Sequence, residues 1–303
     1  MVRVDIKALL LFVAAVTFGA LIAVAGSWGG AVGALGLPVF AWCVGLAFTL
    51  QWIAFAPAFV YQTERYYDLI GSLTYISTAS LALLSSPLTS RGVLLWALVV
   101  IWATRLGTFL FTRVRRAGKD DRFDTIKPSL PRFLSAWTVQ GLWVSLTSAA
   151  ALAGITASAE SDWWPDGAGS AGDVDAFLVT GLIVWLVGFA IEVVADAQKS
   201  RFRQDPANRS HFIRTGLWAW SRHPNYFGET VLWTGVALIA VPTLEGWRYA
   251  VLVSPVFVAL LLTRGSGIPL LERKADATWG GQSDYESYKA STPVFFPRPP
   301  RRR

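Results

Sequence analysis

Residues Ala8 to Thr63 read ALLLFVAAVTFGALIAVAGSWGGAVGALGLPVFAWCVGLAFTLQWIAFAPAFVYQT, and no Asp, Glu, Lys or Arg interrupts them. A bilayer's hydrocarbon core takes about 20 apolar residues per helical crossing. The stretch is too long for one buried helix of a soluble domain and long enough for two crossings. Its Gly and Pro residues would weaken soluble helices, whereas neighbouring helices in a membrane re-satisfy the backbone groups that such residues free. The whole chain follows suit. Of its 303 residues 53% are hydrophobic and 16% charged, with mean hydropathy +0.44, against roughly 25% charge in ordinary soluble domains. The expected fold class is all-α, a polytopic membrane helix bundle. Arg3 and Lys7 before an apolar run ending near Gly26 imitate a signal peptide, but the next apolar segment follows at once, so a first membrane helix is expected.

Eight apolar segments stand out, at roughly 8–26, 31–56, 67–87, 93–112, 134–156, 176–196, 224–242 and 247–264. The links between them sort by sign. The 113–133 link holds Arg113, Arg115, Arg116, Lys119, Arg122, Lys127 and Arg132 against Asp120, Asp121 and Asp124. The 197–223 link holds Lys199, Arg201, Arg203, Arg209, Arg214 and Arg222 against Asp205, and the chain ends Arg301-Arg302-Arg303. The 157–175 link is acidic, with Glu160, Asp162, Asp166, Asp173 and Asp175, and carries Trp163-Trp164-Pro165 as an interfacial anchor. Eight crossings with cytoplasmic N- and C-termini put every long basic link inside, as the positive-inside rule requires. A count of seven, with one early segment not spanning, also fits. The short 88–92 link, outside in this scheme, carries Arg91 and is its weak point.

The net charge of +7 is then topogenic, and nucleic acid is not an expected partner. Cys43 is the sole cysteine, so Cys-rich zinc sites are excluded. His211 and His223 lack the spacing of an HExxH site, and no metal is expected. Neither an internal repeat nor a heptad array is present.

Ionisable groups at the edge of membrane helices are functional candidates by default. Glu192, Asp196, Lys199 and Arg203 are spaced by four, three and four. If the sixth apolar helix continues past the membrane surface, they share one face. The alternative is a set of ion pairs that ends a helix. Further on, Gly216 suits a tight turn and Pro224 the first turn of a helix. Arg222 and His223 beside that helix start form a natural anion site. Asn225 and Glu229, four apart, point the same way. An N-cap with a topogenic basic cluster explains these residues equally well.

The run Gly-Leu-Trp-x-Trp-Ser-Arg-His-Pro-Asn-Tyr-x-Gly-Glu at 216–229 resembles the signature of the DUF1295 group of the steroid 5α-reductase superfamily. Three further stretches are similar to the same group: Arg65-Tyr66-Tyr67-Asp68-Leu69-Ile70-Gly71-Ser72, Gly118-Lys119-Asp120-Asp121-Arg122-Phe123-Asp124 and Gly265-Ser266-Gly267-Ile268-Pro269-Leu270-Leu271-Glu272. The resemblance implies a membrane reductase that uses NADPH, bound in a cytoplasm-facing cavity of the C-terminal helices. It implies a single membrane domain, 1–303, with 1–133 on the substrate side and 134–303 on the cofactor side. Asp196, Arg203 and Asn225 correspond to cofactor contacts, with Lys199, Arg222, His223, Tyr226 and Glu229 as neighbours in the same motifs. The reaction implied is reduction of a C=C bond conjugated to a carbonyl, in a lipophilic substrate such as a sterol, an enone lipid or a polyprenoid. Steroid reductases hold the carbonyl with a Tyr on the fourth helix and a Glu near the second. Here the Tyr position holds Trp102, and the acids nearby are Glu64 and Asp68, which puts a steroid itself in doubt. Tyr67, Asp68 and Arg105 are the candidates for the substrate end; the alternative for Tyr67 and Asp68 is an interfacial anchor and an ion pair.

Two other readings stay open. Isoprenylcysteine carboxyl methyltransferases also carry Arg-His-Pro-x-Tyr-x-Gly, and a tail like Trp279-Gly280-Gly281-Gln282-Ser283-Asp284-Tyr285-Glu286-Ser287-Tyr288. In that case Arg222 to Tyr226 would cradle S-adenosylmethionine. The paired acids typical before that tail are replaced by Leu271-Glu272-Arg273-Lys274, and the run from Asp196 to Arg203 favours the reductase group. A transporter is the non-enzymatic alternative, but transporters often show paired repeats and midplane sites, and here the polar residues gather at one membrane face.

Overall fold

In the computed structural model, which describes residues 5–33, 36–157 and 174–300, the chain is helical throughout and forms no strand among the described residues. The helices are α1 (Ile6–Gly26), α2 (Val39–Val60), α3 (Tyr67–Leu84), α4 (Ser90–Ala117), α5 (Leu130–Thr147), α6 (Ala149–Ile155), α7 (Ala176–Gln204), α8 (Pro224–Ala240), α9 (Val253–Arg264), α10 (Ile268–Trp279) and α11 (Ser283–Ser291). They fall into two compact units, Met1–Val179 with Val236–Ser254, and Thr180–Gly235 with Pro255–Arg303. Arg3, Glu160, Asp162, Trp163, Trp164, Pro165, Asp166, Asp173 and Arg301 to Arg303, used above to orient the chain, lie outside the described residues.

Among the described residues five helices are long and apolar enough to cross a membrane, and six if the bent pair α5 and α6 is one span. Seven to eight crossings would also need α3 and α8, which fall outside that count. α3 carries Asp68 in its first turn and buries Ser72, Thr74 and Thr78. α8 has 17 residues, short of a full span, and buries Glu229. The segment 247–264 merges into a longer stretch, Gly246–Trp279.

In the first unit α3 and α4 run antiparallel: Asp68 meets Arg113, Tyr75 stacks edge-on to Trp102 at 5.1 Å, and the Trp96 indole donates to Ser80. α1, α2 and α5 pack beside them. Helix ends in apolar surroundings leave carbonyls without donors, and two buried arginines supply them. Arg248, 1% exposed, donates to the Ala153 carbonyl at 2.7 Å and to the Thr156 hydroxyl at 2.9 Å, closing α6. Arg91, also 1% exposed, donates to the Ile239 carbonyl at 2.7 Å, closing α8, and pairs with Asp175 at 2.6 Å. A cation at a helix C-terminus also opposes the dipole's negative end. Arg91, the awkward positive charge of the 88–92 link, is therefore consumed inside the protein by an acid from the acidic link.

The second unit is set by a glycine seam. A Cβ on Gly188 of α7 would lie 2.4 Å from the Leu232 nitrogen and 2.6 Å from the Gly228 oxygen. One on Gly228 of α8 would lie 2.7 Å from the Glu192 nitrogen, and one on Gly235 2.5 Å from the Gly181 oxygen. The two backbones touch directly and run antiparallel, as small residues allow in membrane helices. Beyond the seam the same register brings Asn225 to Asp196, with Nδ2 donating to Oδ1 at 3.2 Å. Gly228→Ala places a methyl against backbone that has no rotamer to yield. It should cost about 1–3 kcal/mol, the usual range for overpacking, read as a lowered thermal midpoint in detergent. An unchanged midpoint would mean that the seam is looser than this.

Candidate functional site

The end of α7, the start of α8, α10 and α11 enclose a cavity of about 170 Å³ in the second unit. α7 runs unbroken to Gln204, so Lys199 and Arg203 project from its last turns into the lining. The chain then returns through a 3-10 turn at Gly216–Ala219 that begins with Gly216 at φ 62°. The Gln198 amide packs on Gly216, and its oxygen accepts from the Leu217 N–H at 3.0 Å. Trp218 is buried, its indole donating to the Ala195 carbonyl at 3.0 Å, and Lys199 stands 4.4 Å above its ring. The C-terminal segment straps this return. The Tyr288 hydroxyl donates to the Trp218 carbonyl at 2.7 Å, the Arg222 N–H to Pro293 at 2.9 Å, and the Arg298 N–H to Trp220 at 2.9 Å. Burial pushes the Tyr288 hydroxyl above its ordinary range, so it stays a neutral donor.

The cavity is cationic and aromatic. Lys199, Arg203, Arg222 and Lys274 line it with Phe212, Trp218, Trp279, Tyr285 and Tyr288, against the single carboxylate Glu272. Glu272 divides its two oxygens: Oε2 accepts from Arg222 Nη1, and Oε1 meets His223 Nε2 at 2.7 Å. The His223 ring stacks on Tyr226 at 5.8 Å with 12° between planes. Burial holds the His223 pKa below its ordinary value, against the opposing pull of Glu272, and Lys199 adds to the lowering. A neutral ring that donates through Nε2 keeps Nδ1 as an acceptor. That Nδ1, the Arg222 Nε and the Asn225 Oδ1 are buried without hydrogen-bond partners.

The structure therefore gathers Lys199, Arg203, Arg222 and His223 around one cavity, with Asn225 and Tyr226 at its α8 edge. Glu192, Asp196 and Glu229, at 2%, 5% and 7% exposure, lie buried along the α7–α8 seam. Sequence reasoning met Glu272, Lys274, Trp218, Trp279, Tyr285 and Tyr288 only as parts of family-like stretches and placed none of them in the site. The usable signals were a charged run ending an apolar segment at Leu270 to Lys274 and two tyrosines three apart at 285 and 288.

The substrate-end candidates lie in the first unit. The Tyr67 hydroxyl donates to the Ala136 carbonyl at 2.9 Å, and its ring packs on Phe123 and Trp137 at 4.8 and 5.0 Å. Asp68 lies 3.7 Å from both Arg113 and Arg122. Arg105 stands 5.3 Å over the Phe109 ring, eight residues and so about 12 Å along α4 from Arg113. The acids near them are locked into the 118–127 link. Burial works to raise the Glu64 carboxyl, but Lys127 and the Asp120 N–H hold it below its usual range. Asp120 is likewise held low, its burial outweighed by Arg122, whose Nε donates to both carboxylate oxygens at 2.9 Å.

Comparison with known proteins follows this geometry. The family described as a protein of unknown function (DUF1295) matches residues 54–292. The chain is 29% identical over 124 residues to a probable O-methyltransferase, ustE, of Ustilaginoidea virens, covering 38% of this chain and 42% of that protein. It is 35% identical over 77 residues to 3-oxo-5-alpha-steroid 4-dehydrogenase 1 of Bos taurus, covering 25% and 30%. It is 30% identical over 119 residues to the Rattus norvegicus protein of the same name, covering 39% and 40%. The matches thus span less than half the length of these relatives. No solved structure matches. With the matched region covering the α7–α8 seam and the cavity behind it, the chain belongs to the DUF1295 family, a membrane-protein family of unknown function in the steroid 5α-reductase-like group.

Proposed function

We propose that the protein is a membrane-embedded, NADPH-dependent reductase of a C=C bond conjugated to a carbonyl in a lipophilic substrate. The observation that carries this reading is the charge of the second unit's cavity: four basic side chains and aromatic walls against one carboxylate. NADPH carries a pyrophosphate, a further phosphate and two flat ring systems, and such a lining suits both. S-adenosylmethionine carries a sulfonium and an ammonium against one carboxylate, and the same lining repels its net positive charge. The likeness to an O-methyltransferase keeps that second reading in the test.

The buried polar atoms without partners fit a dinucleotide. Arg222 Nε is a donor for a phosphate oxygen, while His223 Nδ1 and Asn225 Oδ1 are acceptors for ribose hydroxyls or a carboxamide. NADPH, when bound, supplies the hydride to the β-carbon. The chain supplies binding, orientation and a donor for the oxygen that becomes enolate-like, where a fixed donor is worth most. Asp68, Tyr67 and Arg105 are assigned to that substrate end. Asp68, between two guanidiniums, is the group with the charge environment to orient a donor there. The cofactor face is cytoplasmic and both termini lie on that side, as the basic links demand. α3 and α8, antiparallel to α4 and α7, cross with their partners in this arrangement.

The reading makes three checks. Thermal-shift titration in detergent should show stabilisation by NADPH of about 2.7 kcal/mol at one hundred times Kd, and Arg203→Ala should weaken that affinity about tenfold or more, as for a charge-assisted contact, without lowering the apo midpoint. Stabilisation by S-adenosylmethionine alone would reverse the assignment. Against a conjugated carbonyl substrate, Asp68→Asn and Arg105→Ala should lower turnover; full activity in both would remove them from the site. The pH dependence has a definite sign. The folded His223 pKa lies below the unfolded value of about 6.5, so the unfolded chain takes up the proton first. Stability from this group is present above that value and lost as pH falls through the folded pKa. The apo midpoint should drop on acidification below about pH 6.5, and His223→Gln should flatten that drop.

A further inference from the structure

At the other unit, where α3 begins and α4 ends, Arg65, Tyr66, Phe111, Val114 and Arg115 surround a cavity of about 320 Å³. Five other cations around this end stand against carboxylates. Arg113 stands against Asp68, Lys119 against Asp124, Arg122 against Asp120, Lys127 against Glu64 and Arg132 against Asp5. Arg65 and Arg115 face no carboxylate among the described residues, and both line the cavity. The walls between them are aromatic: Tyr66 and Phe111 stack at 6.2 Å, and Arg115 stands 6.0 Å over Phe111. The depth is fixed by the apolar helices. One membrane-length span ends at Val60, five residues before Arg65, and another ends at Arg115 itself. Two guanidiniums that face no carboxylate among the described residues, with an aromatic shelf between them, therefore lie where two membrane-length apolar helices end, which is headgroup level on the side that the positive-inside rule makes cytoplasmic.

We propose that this cavity binds the phosphodiester headgroup of an anionic phospholipid. Guanidinium forks match phosphate oxygens in pairs, the aromatic ring pair sits where interfacial aromatics meet glycerol and upper acyl chain, and basic pockets between membrane helices take such headgroups. A soluble phosphate offers the same oxygens but no chains for the exposed Tyr66 ring (55% exposed) to cover. The site is separate from the cofactor cavity, so the inference stands or falls independently of the proposed reductase activity.

The test uses the full-length protein in detergent, with phosphatidylglycerol, phosphatidylcholine or inorganic phosphate added, read by thermal shift and by native mass spectrometry of retained lipid. Phosphatidylglycerol should raise the midpoint and be retained over phosphatidylcholine. The double variant Arg65→Gln with Arg115→Gln should weaken retention by about fivefold per arginine, the fold-change expected of one surface cation at an anionic headgroup. Arg65→Lys with Arg115→Lys should restore part of it, and Arg209→Gln, on an exposed loop of the other unit, should leave it unchanged. Equal retention of the two lipids by the unaltered chain overturns the proposal without recourse to any variant. Equal retention in the double variant overturns the site, and an equal midpoint shift with inorganic phosphate overturns the lipid as ligand.

Discussion

The backbone contact between α7 and α8 is the constraint on which the second unit depends. Gly188, Gly228 and Gly235 leave no side-chain layer between the two helices. In a bilayer, where lipid is as apolar as leucine, helices gain little by burying apolar surface and gain by close packing. A close, antiparallel seam also fixes register without slack. Residues 196 and 225 then meet one turn beyond it, and Glu192 and Glu229 are shut in along it. A seam padded with larger residues would separate these groups by a side-chain diameter, well beyond hydrogen-bond reach.

The other organising rule is that charge inside the protein is either paired or used to close a helix. An uncompensated buried ion costs several kcal/mol. Arg91 and Arg248 avoid that cost by donating to carbonyls that the ends of α8 and α6 leave open. The link after α4 holds its charges together: Lys127 and the Asp120 N–H meet Glu64, and Arg122 pairs with both Asp120 and Asp68. Against this background two groupings stand out: the four basic side chains that line the second unit's cavity with Glu272, and Arg65 and Arg115, which face no carboxylate among the described residues.

The sequence disclosed those features that depend on local spacing. The four-three-four spacing of Glu192, Asp196, Lys199 and Arg203 implied one helix face, and α7 does run unbroken to Gln204. Gly216 and Pro224 marked a turn and a helix start, and both stand there. The count of crossings was less legible. Hydropathy cannot distinguish a helix that faces lipid from one that buries its polar side against neighbours, as α3 and α8 do. Long-range pairings were not legible at all. Nothing along the sequence separation of 49 from His223 to Glu272 announces that they share a hydrogen bond, and Arg91 looked like a topology signal until its partners were in view. The aromatic walls were hidden for a different reason: in a chain with 15 tryptophans, interfacial anchoring is the default explanation for each.

Glu272 shows how one residue can set the character of the whole cavity. By giving one oxygen to Arg222 and the other to His223, it fixes which faces of both partners remain available. Arg222 keeps Nε toward the buried space, a donor for an anion. His223, held neutral by burial and donating through Nε2, keeps Nδ1 as an acceptor. Without that carboxylate, the ring would be free to choose the other tautomer and Arg222 to swing out to water. The donor on Arg222 and the acceptor on His223 would no longer be prearranged. Glu272 therefore orients two groups of a lining that also carries Lys199, Arg203, Lys274 and aromatic walls, a combination that suits the proposed dinucleotide, with its phosphates, sugar hydroxyls and flat rings.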